Sequence, residues 1–432
     1  LVLDSNNAIT GALTFTTQTG GTNGADITFD NGSTAISLAA FTTEGNLTLQ
    51  TDAAIALTGH TVNGDLAVTS AGAISQSAAL TVSGTSSFTS TGSNNNITLS
   101  TDSNALTGAV SASTVGSSGD VTIDNGTTAL NLGTVTANGD LSIRGGNGIT
   151  DSGVITVSGT SLFHSDVTAK VITLDSVNAM TGAVSITHTG SANVEIDNGT
   201  TALNLGTVSV GQNFEARSGN GITDSGVITV AGTSLFHSDV TGKVITLDSV
   251  NAMTGAVSIT HTGSANVEID NGTTALNLGT VSVGQNFEAR SGGVISDSGV
   301  ITVAGTGTFV TDVNDIDIVL DSNNAITGAL TFTTQTSGST NGADITFDNG
   351  STAISLAGFV TEGDLTLKTD AAIALTGHTV NGDLTVTSAA AISQSAALTV
   401  SGTSSFTSTG TNTNITLSTD SNAFTGAVSA VT

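Results

Sequence analysis

Residues Ser161 to Thr233 recur almost letter for letter as Ser234 to Thr306, an offset of 73 residues. Only four positions differ between the copies: Ala169/Gly242, Asn220/Gly293, Gly221/Val294 and Thr223/Ser296. All four changes are between small residues or lie at a glycine turn. A fixed period of this length, built from short strand and turn signals, is the mark of stacked repeats in which each unit buries its apolar face against its neighbours. The fold question therefore reduces to the shape of one unit.

A marker, Asp-Ser followed by asparagine, recurs at Asp4, Asp102, Asp175, Asp248, Asp321 and Asp420. It divides residues 1–432 into one continuous array with repeats of approximately 4–101, 102–174, 175–247, 248–320, 321–419 and a partial 420–432. Leu3 to Thr114 then returns as Leu320 to Thr432, with one inserted residue near Ser339, so a period of 317 residues is nested over the shorter one. The chain begins without Met and ends inside the pattern, and the expectation is a fragment of a longer protein.

Within a repeat the clearest rhythm is at Gly363 to Asn381 and Gly382 to Ser401, segments of about 20 residues that each open with Gly-Asp-Leu-Thr. Alternation places Leu384 and Val386 on one face and Thr385 and Thr387 on the other, which is the period of a strand. Leu66, Val68, Phe88 and Phe406 fall on the inward face by the same count. Two more short strands follow in each segment, parted by Gly, Asn, Asp or Ser, and no stretch carries the 3.6-residue period of a helix. The predicted fold is all-β: a right-handed parallel β-solenoid (β-helix) with about three short strands per coil. The repeat of 73 residues is expected to hold three coils, such as 181–210, 211–231 and 232–253, and the repeat of 98 residues four. That gives about 17 coils and a rod about 80 Å long.

Composition supports continuous sheet. The chain has 53 Gly and no Pro, Cys, Trp or Tyr. Proline cannot donate to a hydrogen-bond ladder, so its absence suits strands with a neighbour on each side. A membrane β-barrel, the competing all-β reading, would carry Trp and Tyr girdles at the two interfaces. No apolar run approaches the roughly 18 residues of a membrane helix. The Asp-Asn-Gly triplets at Asp30, Asp124, Asp197, Asp270 and Asp348 are read as corners.

The formal charge is −28, from 34 acidic and six basic residues. Arg144, Lys170, Arg217, Lys243, Arg290 and Lys368 stand singly, which disfavours nucleic acid as a partner. Acidic and amide corners on successive coils could gather oxygen ligands for calcium, although the known nonapeptide pattern is missing. The motifs His164-Ser165-Asp166 and His237-Ser238-Asp239 put neighbouring residues on opposite faces of a strand, where one His cannot contact both partners. Glu215 and Arg217, and their copies Glu288 and Arg290, share a face as weak surface pairs. No catalytic, cofactor-binding or metal-ligating residue is assigned, and the chain reads as a non-enzyme.

The run GDLTVTSAAAISQSAALTVSGTSSFTSTG followed by NITLSTDSNAFTGAV resembles the repeat regions of very large bacterial surface proteins, the filamentous-haemagglutinin-like β-solenoids. That resemblance implies secretion, extracellular or cell-surface display, and a role in adhesion, biofilm or filaments. The expected function is structural: the rod or shaft of a cell-surface filament, sheath or stalk. The expected partners are further copies of the chain, end to end or side by side, and cell-surface or matrix polysaccharide. An adhesin or biofilm-matrix rod is the alternative. Ice binding is less favoured because Thr48, Thr69 and Thr89 are followed by Ser142, Thr187 and Glu215 at comparable sites. Leu1 to Ile9 and Thr425 to Thr432 carry ordinary repeat letters, so further stacking at the ends is expected.

Overall fold

A computed structural model describes residues 1–16, 24–165, 167–188, 190–238, 240–261, 263–335 and 342–432. Strands and turns make up all of its regular structure, and the described residues contain no helix. The chain divides into two compact halves, Leu1–Gly219 and Asn220–Thr432. Each is a parallel β-solenoid with about three strands per coil, and the chain makes about 20 turns.

In the first half one wall is built from Ile27–Asp30, Leu47–Thr51, Leu66–Ser70, Ser86–Ser93, Ala109–Val115 and Leu130–Ala137, each pairing with the next in parallel. A second wall runs through Ile55–Thr58, Ile74–Ala78, Ile97–Leu99, Val121–Asp124, Leu141–Arg144, Ser161–Ser165 and Ala183–His188. A third, narrow wall of two-residue strands joins Thr42–Thr43, Thr61–Val62, Thr81–Val82 and Ala105–Leu106. The second half repeats the arrangement, with Ile345–Asp348, Leu365–Thr369, Leu384–Ser388, Ser404–Ser408 and Val428–Val431 in one wall.

Register explains why strand alternation closes a core. Leu49 aligns with Val68, Val68 with Phe88 and Phe88 with Ala112, so one inward position after another feeds a single apolar column. Leu66, Val68, Phe88, Leu384, Val386 and Phe406 are all buried, and Thr385 and Thr387 lie on the outer side, as alternation requires. Nine of the chain's phenylalanines are fully buried, Phe29, Phe163, Phe236 and Phe309 among them. A fully buried side chain of this kind contributes about 1.5 to 3 kcal/mol, added to an in-register backbone ladder.

The coil count departs from the sequence expectation. In one wall Val121 aligns with Leu141, Leu141 with Ser161 and Ser161 with Val184, which is three turns. Val194, the copy of Val121 one repeat later, lies in the other wall, between Ile172 and Phe214. The second half behaves alike: Ile222 pairs with Ile245 in one wall, and its copy Ile295 pairs with Leu276 and Ile318 in the other. The 73-residue repeat therefore spans three and a half turns, and each copy exchanges walls with the last. The 98-residue repeat spans four and a half: Leu3, Phe29, Leu49, Val68 and Phe88 mark four turns of one wall, and Leu99, just before the next marker, lies in the other.

This replaces the expected 17 coils, three per short repeat and four per long one. The difference arises in segment 181–210. Ala183–His188 and Leu203–Val210 pair with each other, Val184 against Leu205, and so lie one full turn apart inside what was read as one coil. Register shifts between Val184 and Ile186 in that pairing, at the level of Gly206, and the long strand bends from one wall toward the next without a turn sequence to mark it.

Candidate functional sites at the corners and on the walls

The Asp-Asn-Gly corners are built around their asparagine. Asn31, Asn125, Asn198, Asn271 and Asn349 are fully buried. The Asn198 Oδ1 accepts from the Met180 N–H at 2.8 Å, and its Nδ2 donates to the Met180 and Ala202 carbonyls at 2.9 Å each. The side chain thus replaces a missing stretch of ladder where the backbone turns. Glycine supplies the left-handed conformation, with φ +54° at Gly199 and +56° at Gly272, and its N–H donates to the preceding aspartate Oδ1 at 2.7 Å in both.

A second buried asparagine follows the four inner Asp-Ser markers, at Asn104, Asn178, Asn251 and Asn324. Asn178, Asn251 and Asn324 accept through Oδ1 from the amides of Ile155, Ile228 and Ile301, and each donates to a carboxylate, that of Asp151, Asp224 and Asp297. Partial burial raises these three carboxyls above their ordinary pKa, opposed by the hydrogen bonds from the asparagines. The two asparagine sets are the polar residues that sequence reading undervalued. Their signal was their unchanged recurrence in every copy.

At another corner aspartates form a ladder. The amides of Asp344, Asp364, Asp383 and Thr403 donate in turn to Oδ1 of Asp317, Asp344, Asp364 and Asp383, at 2.7 to 2.9 Å. One oxygen of each carboxylate is thereby committed to the next coil. Glycines beside such corners are required by close approach: a Cβ on Gly159 would lie 2.6 Å from the Gly139 carbonyl oxygen, and one on Gly182 would lie 2.2 Å from that of Gly159. Among the described residues no three His, Asp or Glu side chains gather where they could hold one metal ion.

On the walls, Thr173, Glu195 and Glu215 stack in register in the first half, and Thr246, Glu268, Glu288 and Thr308 in the second. Glu215 pairs with Arg217, and Arg290 bridges Glu288 at 3.2 Å and Asp312 at 2.9 Å. Partial burial, then the stacked neighbour, raises the Glu195 and Glu268 carboxyls. A shallow polar groove runs over Asn266, Glu268, Asn286, Glu288, Thr306 and Thr308.

The histidines divide into three kinds. His164 and His237 are half-buried on the outer side while Ser165 and Ser238 point inward, so the adjacent residues take opposite faces; Asp166 and Asp239 lie outside the described residues. His188 and His261 are buried, each with Nδ1 against the carbonyl of Gly190 or Gly263 at 2.9 Å and close to the same residue's amide, and with Nε2 against the Lys170 or Lys243 carbonyl. His60 and His378 are buried beside Phe41 and Phe359, at ring distances of 4.7 and 5.0 Å, and neither ring nitrogen of either has a hydrogen-bond partner. Burial lowers both imidazoles from 6.5 to about 4.

The pattern of the family described as repeats of unknown function (DUF5649) matches residues 44–113, 118–187, 191–260, 264–333 and 362–431. The chain belongs to that family. Most of the chain is covered, and the strand Ile345–Asp348 falls in the interval between the fourth and fifth DUF5649 matches. No curated protein and no solved structure matches the chain.

Proposed function

We propose that this array of DUF5649 repeats is a structural extracellular protein, the shaft of a cell-surface filament, sheath or stalk. The observation that carries the reading is the in-register parallel ladder within each half, whose coils, among the described residues, recur without a departure that would build a cleft. A protein selected for chemistry places a few residues against the repeat; here the 73-residue copies match at all but four positions, with none singled out. The filamentous-haemagglutinin-like resemblance agrees with surface display. Self-association, end to end or side by side, follows from backbone ladders that accept another strand wherever a coil is uncovered. A second reading, an adhesive rod for matrix polysaccharide, is favoured by the groove over Glu268 and Glu288, whose amide, carboxylate and hydroxyl groups suit sugar hydroxyls. Calcium held at the aspartate corners belongs to the same proposal as an accessory.

Electron microscopy of the native material, with sedimentation over a concentration series, separates these outcomes. Long uniform fibres, or a mass that grows with concentration, support the shaft. Isolated rods ending in a globular tip support the adhesin, and a monomer of fixed mass at every concentration, with no fibres, defeats the filament reading.

A further inference from the structure

We propose that Asn147 is a site of spontaneous covalent modification, deamidation through the Asn147-Gly148 peptide, and that the fold protects the Asn-Gly pairs of its corners from the same reaction. The chemistry is general. The glycine amide nitrogen, losing its proton, attacks the asparagine Cγ; the new C–N bond closes a five-membered imide, and Nδ2 leaves as ammonia. Water then adds to either imide carbonyl and opens the ring to aspartate or isoaspartate. The step needs no oxidant or cofactor. It needs a glycine N–H that can be released and a carboxamide free to swing.

The described Asn-Gly pairs differ sharply in both respects. At the corners the amides of Gly126, Gly199 and Gly272 donate to aspartate Oδ1 at 2.7 to 2.8 Å, and the buried carboxamides are held by two or more carbonyls. Asn63, Asn138 and Asn381 are less enclosed, yet their Nδ2 groups donate to Glu44, the Thr114 carbonyl and Glu362, while Gly64, Gly139 and Gly382 donate to carbonyls one coil away at 2.9 to 3.2 Å.

Asn147 is exposed, and among the described residues its side chain makes no hydrogen bond and the Gly148 amide reaches only the Gly145 carbonyl, at 3.4 Å. Three of the five residues Arg144 to Gly148 are glycine, and Gly148 sits at φ +100°. The turn opens into a groove lined by Asn131, Thr150, Lys170 and Val171, so the carboxylate produced would arise beside a lysine. The repeats supply a control: the pair is kept as Asn220-Gly221, where Asn220 is itself engaged, and reads Gly293-Val294 in the next copy, which has no amide to lose.

The test holds the intact folded chain at mildly alkaline pH and body temperature, then maps its peptides by mass spectrometry and reads isoaspartate with an isoaspartyl methyltransferase. The expected result is conversion at Asn147 on the order of tenfold faster than at Asn125 or Asn198, with the difference collapsing in denaturant. Asn147→Gln should remove the earliest acidic species on isoelectric focusing and leave the circular dichroism unchanged. Conversion of Asn125 as fast as Asn147 in the folded chain, or of Asn63 or Asn138 ahead of Asn147, would overturn the proposal.

Discussion

At the residue scale, the inward column decides stability and the buried polar groups decide its pH dependence. Val386 is fully buried between Leu367 and Phe406, so Val386→Asp forces a charge into a dry core and should cost on the order of 4 kcal/mol. A denaturant midpoint like that of the wild type would refute its inward placement. Asn271→Ala removes the acceptor of the Met253 amide and the donor to three carbonyls, and should cost about 2 kcal/mol in the same measurement. His60 and His378 bind a proton less readily folded than unfolded. Their contribution is whole above pH 6.5 and is lost as the pH falls toward 4, by at most about 3 kcal/mol each. Melting followed from pH 7 to pH 5 should fall more steeply for the wild type than for His60→Leu with His378→Leu; parallel curves would contradict their neutral burial. These polar positions were the least legible in sequence. A histidine or asparagine beside a turn reads as solvated, and nothing local says that its side chain has entered the coil.

At the scale of the strand, alternation was fully legible and phase was not. Leu384-Thr385-Val386-Thr387 declares its two faces by letter type alone, and register then follows from matching inward positions. Where Leu203–Val210 bends between walls, the only trace is Gly206 within an apolar run, and such a glycine reads equally as a weak strand. The outer faces carry their own cost. Glu268 and Glu288 stand side by side in parallel strands, and like charges so placed repel. Glu268→Thr, which copies the neighbouring Thr246, should raise stability at low salt by a few tenths of a kcal/mol, and the gain should shrink as salt is added. A loss of melting temperature in that variant would instead assign Glu268 a supporting contact.

At the scale of the whole molecule, the half turn left over by each 73-residue copy governs what the array presents. Copies that held whole turns would repeat every surface feature on one wall. Three and a half turns send equivalent residues to alternate walls, as Ile222 and Ile295 show within one half and Val121 and Val194 within the other. A partner recognising one repeat would then meet its target on two walls of the solenoid within each half, which suits lateral association. The measurement that bears most directly on this is a cryo-electron microscopy map resolving the individual coils, with the 73-residue copies traced along the axis. The account predicts that one copy advances about 17 Å, three and a half rungs of roughly 4.8 Å, and that its neighbour shows the same face on the opposite wall. An advance of about 14 Å, with every copy facing the same way, would contradict it.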